Sequence, residues 1–312
     1  MKPLEYPGKK YEGKALMESQ GDLMPYFPDP GLIQAVEIAR FLRRPLLIRG
    51  EPGCGKTRLA EALAYEMYGD AYKNHYFKWS IRSTSKAREG IYTFDSLERL
   101  QDIQDDTKTP KPPKTNYRHW GPLGDAYTSS TEENPSILLI DEIDKADIDF
   151  PNDLLDELEW TKGKMIEVFE TEEKYEIHYP PIVIITSNNE RELPNAFLRR
   201  CVFYFIQFPG DALLMEIGSA YAKTLENNPL ERDAIKEIID EFLDERKKMD
   251  GKAVSVKKPS TSELLDWIYT HAYYLLHGGL EEQKAEKLRF PGVLLKTETD
   301  FIASQGDDPS KM

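Results

Sequence analysis

The sequence predicts a parallel α/β sheet flanked by helices and followed by a small all-α domain. Three observations carry that expectation. Short apolar runs alternate with helical patterns, as expected of strands buried on both faces and the crossovers that join them. A glycine-rich turn, Gly50-Glu51-Pro52-Gly53-Cys54-Gly55-Lys56-Thr57, stands between the first of these runs and a helix. After Pro209 the strand-like runs stop and only helical periodicity remains.

Residues 1–29, rich in Pro, Gly, Lys and Glu, read as an irregular arm. From Pro30 the pattern DPGLIQAVEIARFLR predicts a helix, with Leu32, Val36, Ile38 and Leu42 available for its buried face. PLLIR (45–49) is the first strand. KTRLAEALAYEMYG then sets Leu59, Leu63 and Met67 at helical spacing and leaves Gly69 at the position just past the helix end. HYFKWS (75–80), ILLID (137–141), PIVIITS (181–187) and VFYFIQF (202–208) complete the strands of a domain spanning 30–208. Residues 105–117, proline- and lysine-rich, read as a mobile, solvated loop. Beyond 208, the stretches DALLMEIGSAYAKTL, DAIKEIIDEFLDERKK and TSELLDWIYTHAYYLL predict a helical domain over 209–300, and residues 301–312 a frayed tail.

Composition narrows the function. A length of 312 residues suits about two domains, and 40% hydrophobic residues supply a sizeable core, which excludes a mostly disordered chain. Forty-one Lys+Arg against 55 Asp+Glu leave a net charge of -14, the opposite of a whole-surface nucleic-acid binder. Cys54 and Cys201 cannot build a disulfide framework, and the five histidines show no metal-ligand spacing. The first residues lack the apolar stretch of a secretory signal, and no apolar run approaches a membrane span, so a reduced, cytoplasmic setting is expected.

The glycine-rich turn matches GxxxxGK[ST] from Gly50 to Thr57, with Arg58 next on the helix. Its glycines let successive N–H groups point inward at phosphate oxygens, and the helix behind it adds the positive end of its dipole. Lys56 supplies a charge for the β- and γ-phosphates, and the Thr57 hydroxyl is a hard ligand for Mg²⁺. Ile137-Leu138-Leu139-Ile140-Asp141-Glu142 is the natural companion. A buried strand delivers Asp141 to orient Mg²⁺ and Glu142 to polarise an attacking water.

RPLLIRGEPGCGKTRLAEALA and ILLIDEIDKA resemble the Walker A and Walker B blocks of the AAA+ ATPases, specifically the MoxR branch. PIVIITSNNERELPNAFLRRC is similar to that family's sensor-one strand and arginine-finger helix, and the resemblance covers roughly residues 30–280. It implies a P-loop NTPase core with an insert at about 81–117, a presensor hairpin at about 163–179 with Tyr175, Ile177 and Tyr179 on one strand face, and a helical lid. It also implies roles for single residues. Asn188 would be sensor one, and Arg200, or its neighbour Arg199, a finger reaching the next subunit's γ-phosphate. One residue departs from the pattern: Ser262 stands where the family places a lid arginine, leaving Lys257 or Lys258 as substitutes, and Ser260 and Glu263 sit at capping-box spacing instead.

The resemblance implies a Mg-ATP hydrolase that assembles with itself into a ring, a hexamer by expectation. The ring would remodel a client protein, one with a von Willebrand factor A domain among the family's partners. Neither a membrane nor nucleic acid is an expected partner. The competing expectation is a nucleic-acid-directed motor of a restriction or defence system, with Lys73, Lys78, Arg82, Lys86 and Arg88 as phosphate contacts. A third, a nucleotide-switched scaffold without turnover, is disfavoured by the intact Lys56, Asp141, Glu142 and Asn188 set.

Overall fold

The computed structural model describes residues 9–105, 107, 109–249, 258–278, 288–298 and 301. Lys257 and nearly all of the expected tail therefore lie outside the described residues. By contacts the chain divides into two units. The first holds the described residues up to Gly13, Pro28–Gly50 and Lys56–Ile206. The second holds Lys14–Phe27, Glu51–Gly55 and the described residues from Gln207 onward. The break after Ile206 lies close to the boundary expected at 209, whereas part of the N-terminal arm and the tip of the glycine-rich turn cluster with the helical unit.

The first unit opens with α1 (Pro30–Leu42). Asp29 caps it by accepting the Leu32 N–H at 3.0 Å, and Pro30 occupies a first-turn position whose N–H would be orphaned in any case. The buried face is Leu32, Ala35, Val36 and Ala39, so the expectation for Ile38 and Leu42 is corrected: they are 42% and 47% exposed. Two residues on from Val36 is about 200° around a 3.6-residue helix, which turns Ile38 to the far side. The strands are β1 (Leu46–Gly50), β2 (Tyr76–Ser80), β5 (Ile137–Asp141), β8 (Ile182–Ser187) and β9 (Val202–Ile206). They form one sheet in the order β2-β5-β8-β1-β9, with every pairing parallel. All their carboxyl ends therefore meet at one edge, the usual ligand edge of such sheets. All five residues of β5 are buried, as its bare apolar run requires.

Helix α2 (Lys56–Tyr68) comes directly after the turn, buries Leu59 and Leu63, and ends before Gly69, whose φ of +55° is the left-handed backbone expected there. Between β2 and β5 lie β3 (Tyr92–Phe94), α3 (Ser96–Gln104), β4 (Arg118–Trp120) and α4 (Pro122–Ser129), with β3 and β4 antiparallel. The expected solvated loop is corrected at its end. Lys114–Tyr117 forms a 3₁₀ turn, and Tyr117 is buried with its hydroxyl 2.9 Å from an Asp102 carboxylate oxygen, because a ring that large gains more by burial than by solvation.

Helix α5 (Phe150–Leu158) precedes the hairpin of β6 (Met165–Val168) and β7 (Glu173–Glu176). Strand β7 stops at Glu176, so Ile177 and Tyr179 lie beyond it rather than on its face, and both are buried. Helix α6 (Asn195–Arg200) is anchored by Phe197, which is fully buried among Leu47, Ile185 and Leu154 of the core. Truncating such a ring typically costs about 3–5 kcal/mol.

The second unit is built on α7 (Asp211–Ala222), α8 (Arg232–Lys248), α9 (Thr261–His277) and the single turn α10 (Pro291–Leu294). Leu214, Ile239, Phe242, Leu264, Trp267 and Ile268 form its core. The capping box at the start of α9 is present, with the Ser260 N–H 2.9 Å from Glu263 Oε2. Among the described residues no helix is long and apolar enough to cross a membrane.

His271 lies inside this core, its ring edge-on to Trp267 and Phe290 and its Nδ1 2.9 Å from the Trp267 carbonyl. Burial, with a smaller contribution from the Arg289 charge, pushes its pKa down to about 4. The unfolded chain takes up this proton near pH 6.5 and the folded chain only near 4, so stability is complete above pH 6.5 and falls as pH drops through that window. By pH 5 the loss should be about 2 kcal/mol. Urea unfolding at pH 7 and 5 should show this loss in the parent and not in His271→Leu; equal losses in both would remove His271 as its source.

Candidate nucleotide site

Strand β1 ends at Gly50, the chain turns, and α2 begins at Lys56, whose buried Nζ lies 2.9 Å from the Gly50 carbonyl. One turn of chain thus brings the lysine back over the strand end, where a polyphosphate would compete for its charge. At the turn's tip Gly53 and Gly55 adopt φ of +76° and +88°, a region open to glycine without strain. Cys54 donates its N–H to the Glu51 carbonyl at 3.3 Å, Pro52 is exposed, and Arg58 is half-buried on α2.

Strand β5 carries Asp141 to the same edge of the sheet. Its Oδ1 accepts from the Thr57 hydroxyl at 2.9 Å and from the Thr186 hydroxyl at 2.7 Å, and its Oδ2 meets Lys78 Nζ at 3.2 Å. Three neighbouring elements therefore orient one carboxylate. Glu142 comes next with φ +60° and ψ +54°, a left-handed backbone that costs a non-glycine residue about 1–2 kcal/mol. Its N–H donates to the Thr186 hydroxyl at 2.8 Å, which helps hold that conformation. Its side chain is held from both sides: Oε1 accepts from Asn188 Nδ2 at 3.1 Å, and Oε2 meets Lys145 Nζ at 2.5 Å. The hydrogen bond and charge of Glu142 raise the Lys145 pKa.

Asn188 is set by a group that sequence reasoning does not single out. Asp144, 3% exposed, accepts the backbone N–H groups of Asn188 at 3.0 Å and of Glu190 at 2.8 Å through Oδ2. It pins the turn after β8 to the turn after β5, and so sets Asn188 against Glu142. The structure therefore brings Lys56, Thr57, Asp141, Glu142 and Asn188 to one edge and adds Thr186, Asp144, Lys78 and Lys145. Lys145 had a visible signal, an opposite charge three residues from Glu142; Thr186 and Asp144 had none apart from their neighbours. Arg199 and Arg200 are exposed on the last turn of α6, and neither makes an ion pair or hydrogen bond among the described residues. Ser262, at the expected place of a lid arginine, donates its hydroxyl to the Gly53 carbonyl at 3.3 Å.

A phosphate loop between β1 and α2, with an oriented carboxylate pair at the end of β5 across the intervening β8, defines a P-loop nucleoside triphosphatase fold. Residues 46–209, just over half of the chain, match the ATPase family associated with various cellular activities (AAA). The chain belongs to that family. Among solved structures it is similar to a provisionally assigned ATPase of Cytophaga hutchinsonii ATCC 33406, at 15% identity and a TM-score of 0.37. That match covers 67% of this chain and spans only 56% of the other. No curated protein matches the chain.

Proposed function

We propose that this ATPase is a MoxR-type member of its family, which assembles with itself into a ring, a hexamer by resemblance, and uses hydrolysis to remodel a client protein. A client bearing a von Willebrand factor A domain fits that branch. Its work would be done in a cytoplasmic setting. The β3–β4 insert between β2 and β5, and the β6–β7 hairpin before β8, support the branch assignment.

The observation that carries the ring is α6. Its buried Phe197 fixes the helix while two adjacent arginines stand exposed at its end, without a side-chain partner among the described residues. Part of their placement serves the helix dipole, which favours cations at the last turn. One such cation meets that need, and a second, free guanidinium suits the phosphate of a neighbouring copy.

Within the subunit, Lys56 neutralises the β- and γ-phosphates. Thr57 Oγ1 and Asp141 Oδ1, hard oxygens 2.9 Å apart, suit a Mg²⁺ ion that keeps most of its ligands as water and phosphate. These two residues would hold the ion, which when bound spreads the negative charge of the phosphates. Glu142 takes the proton of the attacking water, and Asn188 orients that carboxylate. Lys145 must leave Oε2 for the base to act. An ion pair between side chains this exposed is screened by water and weak, so its release is easy.

The nucleic-acid alternative finds less support, because two of its expected contacts are engaged inside the subunit. Lys78 pairs with Asp141, and Arg88 lies over the Tyr92 and Phe169 rings with Glu170 3.7 Å away. Sedimentation velocity of the protein with and without ATP tests the ring. A species of several subunits should form with ATP, and a chain that stays monomeric at tens of micromolar would end the proposal.

A further inference from the structure

The tip of the phosphate loop, Glu51–Gly55, belongs by contacts to the helical unit, and the groups that hold it there can be named. Arg246, on the last turn of α8, has a side chain only 12% exposed. Its Nη2 meets Glu51 Oε2 at 2.6 Å, its Nη1 donates to the Pro259 carbonyl at 2.5 Å, and its guanidinium carbon lies 3.8 Å from the centre of the Phe208 ring. The start of α9 grips the other end of the tip. Ser262 donates to the Gly53 carbonyl, and Ser260 approaches Gly53 so closely that a Cβ there would fall 2.2 Å from its hydroxyl oxygen.

Glu51 is the puzzle in this arrangement. A loop that binds anions through backbone N–H groups gains nothing from a carboxylate in its second position, which repels the polyphosphate the loop attracts. A guanidinium paired with that carboxylate cancels the repulsion. Arg246 suits that role, because the ring and the carbonyl offset the loss of water around its charge while its fork remains aimed at Glu51.

We infer that Arg246 is a positioning residue for nucleotide binding, which neutralises Glu51 and fixes the loop tip without itself touching phosphate. The inference rests on the reading of Gly50–Thr57 as the phosphate loop. It assigns the hold on the loop tip to a residue on α8, ahead of the α9 position at Ser262 where the family pattern places an arginine.

The two possible roles of Arg246, charge compensation and packing, give opposite results in a double-mutant cycle. ATP affinity is measured by calorimetry on the full chain, with folding checked by circular dichroism. Arg246→Met should weaken ATP about tenfold, because it removes the guanidinium that meets the Glu51 carboxylate. Adding Glu51→Gln should restore affinity to within threefold of the parent, since the charge that needed compensation is gone. Arg246→Lys, which keeps the charge, should also remain within threefold.

Equal weakness in Arg246→Met and in the double variant would mean a packing role and overturn the inference. Parental affinity in Arg246→Met would overturn it equally. Where Arg246→Met does not fold, Arg246→Lys decides, and a tenfold loss in that variant sinks the idea. Lys56→Ala, measured beside them, separates the loop reading from the role of Arg246. If Lys56→Ala binds ATP normally, the loop reading fails and this inference falls with it; if Lys56→Ala loses ATP, any failure of the cycle belongs to Arg246 alone.

Discussion

Replacing Glu142 by Gln should lower ATP turnover by about 10²–10⁴-fold while nucleotide still binds. The substitution is close to isosteric. An amide oxygen can accept from Asn188 Nδ2 as Oε1 does now, and the Thr186 hydroxyl is met by the backbone N–H of residue 142, which the substitution leaves in place. The lost element is the carboxylate able to take a proton. Lys56, Thr57 and Asp141 are untouched, so calorimetry should return an ATP affinity close to the parent's. Phosphate release at saturating ATP is the deciding measurement, and parental turnover would mean that another group activates the water. The variant should also accumulate ATP-bound rings, which makes it the natural bait for a client protein.

Arg200→Ala should cost still more, about 10³–10⁵-fold in turnover, again without loss of ATP binding. The difference between the two lesions lies in where each acts. In the proposed ring, Glu142 would serve the site of its own subunit and the arginine finger that of the next. Two inactive preparations, Arg200→Ala and Glu142→Gln, should therefore recover part of the activity when mixed, because some interfaces pair an intact base with an intact arginine. Labelled subunits establish that exchange has occurred. If they exchange and no activity returns, Arg200 does not act in trans, and Arg199→Ala put through the same mixing then decides whether the finger is one residue earlier. Failure of both would leave the ring without its principal support.

Much of this site is legible in the amino-acid sequence. The loop from Gly50 to Thr57 needs only adjacent residues, because glycine backbone freedom and a lysine at the helix start act over a single turn of chain. Asp141 and Glu142 are legible for a similar reason: the four-residue apolar run Ile137–Ile140 reads as a buried strand, and the residues that follow it emerge at the sheet edge. The helix at 30–42 is legible in extent but not in face. Ile38 and Leu42 are as apolar as Leu32, and hydrophobicity alone does not say which stripe meets the sheet. Strand β7 ends at Glu176 for a related reason: apolar alternation runs on through Ile177, whose N–H still donates to the Lys164 carbonyl at 2.9 Å, to Tyr179, and alternation alone does not mark where a strand stops.

The sequence by itself determined the local chemistry: a phosphate loop, a carboxylate pair at the end of a strand, an asparagine closing another, and a pair of arginines on a short helix. Each derives from backbone and side-chain properties of residues a few positions apart. The tertiary structure decided how those pieces are held. Thr186 meets Asp141 from 45 residues away, Asp144 reaches the Asn188 N–H from 44, and Arg246 reaches Glu51 from 195. Such contacts leave no periodicity or spacing to read, because a hydrogen bond or ion pair between strand ends depends on sheet order and helix packing, which are properties of the whole folded chain.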